Sequence, residues 1–245
     1  MHITSRLEIL EYSDGRVRSL TREFPCEVII NLYVNDKFKE SFCMSPSMIK
    51  EFALGHLVCE GLINSADQVQ EIRVDGADIH VSTRESSSKP PGVKLNWQIS
   101  LDTVLWTVDQ LNYNSKVYGT TKAVHVANLF DEKGKLLGTV EDIGRHNAVQ
   151  KVIGEVLIKR RELSKVILAL SGRIPSDMIS IISRAGIPVI ISVAYPTSNG
   201  IEMARRLDLT LITVRDGKIF IHSNAGGVVP SFSEASTDIV PCLVA

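Results

Sequence analysis

The sequence predicts an α/β fold in which a regular core of apolar strands and helices follows a smaller α+β N-terminal part. Three observations predict it. From Lys165 onward the apolar runs "KVILALSG", "IPVIISVAYPTS" and "LTLITVRDG" alternate with the helical segments "PSDMISIISRAG" and "GIEMARRLD". Strands apolar on both faces, set between helices, imply a parallel sheet covered on both sides. Before residue 99, by contrast, strands pair locally around isolated helices. Finally, a chain of 245 residues removes roughly 70% of its unfolded surface from water on folding, so a sizeable core needs no staples. The division is drawn at 1–98 for the α+β part and 99–245 for the α/β core with its anion- and cofactor-binding loops.

The elements follow in order. "CEVIINLYV" and "KFKESFCM" flank a turn at Asn35 and Asp36, and "SPSMIKEFALGHLVCEGLI" reads as an amphipathic helix entered through Ser45 and Pro46. "VQEIRV" and "DIHVST" around "DGA" make a second hairpin, and "RESSSKPPGVKLN" is the most loop-like segment. A helix resumes at Ser100 with Leu101, Val104, Leu105, Val108 and Leu111 on one face. "AVHVANLFD" and "LLGTVED", separated by "EKGK", form a third hairpin. In the core, Pro175 suits the first turn of its helix and Gly186 its stop. Ligands of such sheets bind beyond the carboxyl ends of the strands, which selects Ser171, Gly172 and Arg173, the "YPTS" segment at 195–198, and "VRDGK" at 214–218.

Charge and cysteine content narrow the function. A net charge of −1 offers no footprint for nucleic acid or an anionic membrane. No stretch approaches the 18 or so apolar residues that cross a bilayer, and the opening "MHITSRLEILEY" has no long apolar segment of the signal-peptide type, so a cytoplasmic location is expected. The four cysteines, Cys26, Cys43, Cys59 and Cys242, form no CxxC, in keeping with a reducing compartment. Cys59 falls on the apolar stripe of its helix, where a thiol serves as core filler.

The densest chemistry lies in "VEDIGRHNAVQKVIG", residues 140–154. Val149, Val152, Ile153, Val156 and Leu157 recur at helical spacing, which starts the helix near His146 or Asn147, with Asn147 able to cap it. Gly144, Arg145 and His146 sit at its mouth. A helix N-terminus with free N–H groups and an adjacent arginine makes a pocket for phosphate or carboxylate. Glu141 and Asp142 either bind ligand donors or hold Arg145. An ordinary strand-to-helix turn in which the acids pair with the arginine accounts for the same residues.

"EDIGRHNAVQKVIG", followed by "LSGRIPSDMIS", "AGIPVIISVAYPTS" and "LTLITVRDGKI", strongly resembles the formate dehydrogenase accessory protein family (FdhD), sulfurtransferases that prepare the molybdenum cofactor of formate dehydrogenases. "MSPSMIKEFALGHLVCEGLI" is similar to that family's N-terminal helix segment, so the resemblance spans almost the whole chain. It implies a cytidine-deaminase-like core, a homodimer, apo formate dehydrogenase as partner with a cysteine desulfurase as a further one, and a site for the molybdenum bis(guanine dinucleotide) cofactor or a GDP-like nucleotide. The family's cofactor-binding "F-x-R-x-G-R" loop corresponds to Thr213, Val214, Arg215, Asp216, Gly217 and Lys218, with Thr213 in place of an aromatic and Lys218 in place of an arginine. Positive charge is kept while stacking and bidentate phosphate binding weaken.

Other departures concern the sulfur chemistry. The family's carrier cysteine, in a "CGxCG" loop, should fall within "RESSSKPPGVKLN", which contains none, and a persulfide requires a thiol. "TGG-x-H" has become "TKAVH", keeping Thr121 and His125, and "SGR-x-S-x-E" has become "SGRIPSD". A zinc deaminase needs His-x-Glu and Pro-Cys-x-x-Cys; here Ala127 stands two residues after His125, and "PCEVI" and "PCLVA" lack the second cysteine. The six histidines are dispersed, so no metal site is expected. Two functions follow: a sulfur-transferring accessory factor using Cys242 or a partner's cysteine, and a non-catalytic chaperone that binds the cofactor or a related nucleotide. No catalytic residue is assigned.

Overall fold

The computed structural model describes residues 2–85, 92–113 and 115–229. It opens with a ribbon that the sequence reading did not anticipate, β1 (Thr4–Ser13) paired with β2 (Arg16–Pro25). The usual strand signal is missing because its apolar residues are not inward-facing: Leu7, Leu10, Tyr12 and Val17 are all exposed. Ion pairs of Arg6 with Glu23 and of Arg18 with Glu11 tie the two strands.

β3 (Val28–Val34) and β4 (Lys37–Met44) pair as expected across Asn35 and Asp36. Both turn residues have positive φ, 50° and 62°, the turn geometry that matches strand twist. α1 (Ile49–Cys59) starts after Met48, at φ 53°, and not at Ser45 and Pro46. Ser45 is engaged elsewhere, because its N–H, hydroxyl and carbonyl all bind residues about a hundred positions later. β5 (Val69–Asp75) and β6 (Asp78–Thr83) complete a four-stranded sheet in the order β4-β3-β6-β5. Residues 86–91 of "RESSSKPPGVKLN" lie outside the described residues.

The core begins with β7 (Ile99–Ser100) and α2 (Leu101–Tyr113), where Ser100 Oγ accepts from Thr103 N–H. α3 (Lys116–Thr121), β8 (His125–Asp131), β9 (Leu136–Asp142) and α4 (Arg145–Ile158) follow. Then come β10 (Val166–Leu170), α5 (Ser176–Arg184), β11 (Val189–Ser192), α6 (Ser198–Arg206), β12 (Thr210–Arg215), β13 (Lys218–Ser223) and β14 (Val228–Val229), the last pairing with β7. Pro175 precedes the first turn of α5 rather than sitting in it, while Gly186, at φ 78°, ends that helix as expected.

The fold is mixed α/β. The expected parallel sheet is parallel only through β10, β11 and β12; the whole order is β13-β12-β11-β10-β8-β9. β8 with β9 and β12 with β13 are joined by tight turns, which permit only antiparallel pairing. One face of the sheet, with Leu129, Leu168, Ile190 and Leu211, packs under α4, α5 and α6; the other, with Val126, Ala169, Ile191 and Val214, packs under α2. α1 crosses α4 so closely that a Cβ on Gly55 would lie 1.8 Å from Gln150 O, and one on Gly154 1.8 Å from Glu51 O. Because β9, β10, β11 and β12 run the same way and β8 runs opposite, four carboxyl ends and the start of β8 meet at one edge. No helix among the described residues is long and apolar enough to cross a membrane.

Candidate functional site

α4 starts at this edge with Gly144 as its N-cap and no capping side chain. Asn147 is therefore not the cap. It lies inside the helix, buried, and its amide donates to Cys43 O (2.8 Å) and to Asp142 Oδ1 (3.1 Å). Glycine at 144 makes room for it, since a Cβ there would stand 2.6 Å from Asn147 Nδ2.

Neither acid holds Arg145. Strand alternation sends Glu141 and Asp142 to opposite faces of β9. Glu141 turns to α3 and accepts the N–H groups of Lys116 (3.0 Å), Val117 (3.0 Å) and Tyr118 (2.7 Å), closing that helix's first turn from outside. Asp142 turns to α4 and is fully buried. Its Oδ1 accepts from Gly144 N–H (2.8 Å), and its Oδ2 accepts from Ser45 N–H (3.1 Å) and from Lys151 Nζ (2.5 Å). Lys151, also wholly buried, donates to Ser45 O at 2.8 Å. Burial pushes the Lys151 ammonium below its ordinary range, and the Asp142 charge opposes that shift. The sequence reading missed Lys151 and Ser45; a lysine between Val149 and Val152 on a helix with this apolar stripe is the signal that points to a buried charge.

Arg145 is left available. Its Nε is buried with no hydrogen-bond partner among the described residues, and it packs on the turn after β10, where a Cβ on Gly172 would lie 3.2 Å from Arg145 Cβ and 3.3 Å from His125 Nδ1. Burial first, and then the Arg145 charge, push His125 below its ordinary value. His146 Nε2 stands 3.0 Å from Asp177 Oδ2 across the first turns of α4 and α5; burial lowers its pKa and Asp177 acts against that. Arg173 is exposed beside them.

Ser171 Oγ accepts from Val126 N–H (2.8 Å), while Ser192 Oγ donates to Gly172 O (2.8 Å) and accepts from Ala194 N–H (3.0 Å). These bonds stitch the turns after β10 and β11 together. His125 and Ser171 also line a cleft of about 510 Å³ with Tyr118 and Lys122. Lys122, where the glycine of "TGG-x-H" would stand, is at φ 56° with its ammonium 4.5 Å from the Tyr118 ring centroid.

Gly144, Arg145, His146, Ser171, Gly172, Arg173 and His125 thus converge. The 213–218 segment sits two strands further along. Its first half is committed to packing: Thr213 is fully buried with Oγ1 2.9 Å from His222 Nε2, and Val214 packs under α2. Its second half is a tight exposed turn, with Asp216 at φ 51° and Gly217 at φ 71°, between Arg215 and Lys218.

The described cysteines are all free thiols. Cys59 is buried, which pushes its pKa far up. Cys43 is raised by desolvation and then by Glu27, to which its Sγ donates at 3.6 Å. Cys242 lies outside the described residues. What the edge offers chemically is an unpaired arginine at an uncapped helix start, beside a glycine turn that lets backbone approach closely, a combination suited to anions.

A family model described as the FdhD/NarQ family matches residues 25–95 and 84–228. Protein FdhD of Methanocaldococcus jannaschii is 36% identical over 196 residues, covering 79% of this chain and 85% of the relative. The sulfur carrier protein FdhD of Sulfolobus acidocaldarius is 32% identical over 238 residues, covering 88% and 94%. A crystal structure assigned to a formate dehydrogenase accessory protein from Desulfotalea psychrophila superposes with a TM-score of 0.83 at 25% identity, covering 93% of this chain and all of the other.

Proposed function

This chain belongs to the FdhD/NarQ family, and from that premise we propose that it is an accessory factor in formate dehydrogenase maturation that binds the guanine-dinucleotide form of the molybdenum cofactor, or a GDP-like nucleotide, as cargo. The observation that carries the reading is Arg145: a buried guanidinium nitrogen without a partner, at a helix start without a capping side chain, is the environment that a phosphate completes. Arg145 and the α4 N–H groups hold phosphate oxygens, Gly172 gives the backbone clearance, and Arg173, Arg215 and Lys218 add charge along the rim. The cargo supplies its own molybdenum chemistry; these residues bind and orient it.

The same proposal includes assembly as a homodimer, encounter with apo formate dehydrogenase in the cytoplasm, and a cytidine-deaminase-like core, which the order β9-β8-β10-β11-β12 supports. A second reading adds sulfur transfer, favoured by relatives named sulfur carrier proteins. Against it stand the cysteine-free 84–96 segment and the burial of Cys59, so the carrier would be Cys242 or a cysteine of a partner. Calorimetric titration with GDP, combined with persulfide mass mapping after incubation with a cysteine desulfurase and cysteine, tests both. GDP binding without persulfide is the expected result. Persulfide on Cys242, abolished by Cys242→Ser, would establish the second reading, and no GDP binding would remove the first.

A further inference from the structure

We propose that Tyr195 and Arg215 form a slot for a planar heterocyclic base, placing the base of the ligand at the β11–β12 end of the rim. This rests on the nucleotide reading above and assigns the stacking surface within it. The position that would carry an aromatic in the resembling loop is Thr213, and a side chain there points into the protein: Thr213 is fully buried under His222. The aromatic surface at this end comes instead from Tyr195, in the turn after β11. Its ring lies against Phe220, the cross-strand partner of Thr213, with centroids 5.6 Å apart at 65°, and against His222 at 6.4 Å and 76°. With these two neighbours at one side, Tyr195 remains 45% exposed.

The Arg215 guanidinium carbon stands over the Tyr195 ring, 5.8 Å from its centroid. A ring stacked between two walls needs about 7 Å, twice the carbon–carbon contact distance, so Arg215 has to open by about 1 Å. It is free to do so, being half-exposed and tied among the described residues only by a loose 3.8 Å pair with adjacent Asp216. Tyr195, Arg215, Thr213 and Phe220 lie on the sheet face that also carries α4 and α5. The Ser192 bridge to Gly172 O fixes the Tyr195 turn relative to Arg145. From β8 to β12 is three strand intervals, about 14 Å, within reach of an extended nucleoside diphosphate whose base lies in the slot and whose phosphates lie at Arg145.

The test titrates the full chain, its Tyr195→Ala variant and its Tyr195→Phe variant with GDP and separately with inorganic pyrophosphate. Loss of one stacked base should weaken GDP binding about 5- to 150-fold in Tyr195→Ala, leave pyrophosphate affinity unchanged, and leave GDP affinity within about twofold in Tyr195→Phe, where the ring is kept. If the wild type binds GDP and Tyr195→Ala binds it equally well, or loses pyrophosphate to the same degree, the slot is wrong while the nucleotide reading stands. If the wild type binds neither compound, that reading falls and the slot with it.

Discussion

The two ends of the rim present similar charges on opposite kinds of support. At the α4 end, Arg145 projects from a helix start anchored by a wholly buried carboxylate and ammonium, with Ser45 and Asn147 completing their bonds. At the other end, Arg215 and Lys218 flank a two-residue turn in open solvent. The first can hold a charge in one place before any ligand arrives; the second adapts to what is bound. Preorganisation is expensive to build, because desolvating an ion pair costs about as much as the pair returns, and it makes the buried end sensitive to single changes in a way the exposed end is not.

The largest effect that separates them concerns folding. Asp142→Ala leaves the Lys151 ammonium buried without its counter-charge and should lower stability by about 3–5 kcal/mol, read from urea unfolding, whereas Lys218→Ala beside the exposed turn should stay within about 0.5 kcal/mol. Equal losses would erase the contrast. The next effect is on binding. Arg145→Ala should weaken GDP binding by about 1.5–3 kcal/mol, the scale of a charge-assisted hydrogen bond, and Lys218→Ala by about 1 kcal/mol or less, the scale of a screened surface charge, with the Lys218→Ala loss shrinking further in added salt.

The smallest effect is in pH. His125 faces Arg145 and Asp142 and has its pKa lowered in the folded protein, so it is neutral at pH 7 and gains charge only as pH falls below about 6.5. Affinity for sulfate, whose charge is constant in this range, should rise as pH falls below about 6.5, and His125→Gln should flatten that rise. Stability runs the other way. His56, His125, His146 and His222 are all lowered, with burial the first cause in each, so the unfolded chain binds more protons below pH 6.5 and the stability these groups contribute above that value is lost as pH falls. A binding curve that weakens with acid while the protein stays folded would place the anion elsewhere.

Much of this was legible in the sequence. Asn35 with Asp36, and the "DGA" and "EKGK" segments, announce hairpins because their backbone geometry is local, and the GRHN stretch marks a helix start because its apolar stripe has a clear period. The failures share one physical cause, which is that a polar side chain's partner is chosen by tertiary packing. Glu141 and Asp142 are adjacent in sequence, yet one closes the first turn of α3 and the other anchors α4. Asn147 resembles a cap by type, but the carbonyl of Cys43 claims its amide. Ser45 resembles a helix entry for the same reason. The β1–β2 ribbon was missed because its alternation faces no core, so the apolar residues that usually betray a strand here point to solvent.

The crossing of α1 over α4 carries a consequence for how the chain can be divided. Gly55 and Gly154 put backbone against backbone, and no side chain at either place would preserve that approach, so the two helices are keyed to each other although about a hundred residues separate them. A protein cut between α1 and β8 would therefore yield two complementing fragments, neither holding a finished interior. The earlier piece would lose the carbonyl surface its glycine was shaped for, and the later one would keep the Arg145 rim but lose the Ser45 bonds and the helix that brace it from behind. The α1 segment is in that sense the buttress of a site it never touches.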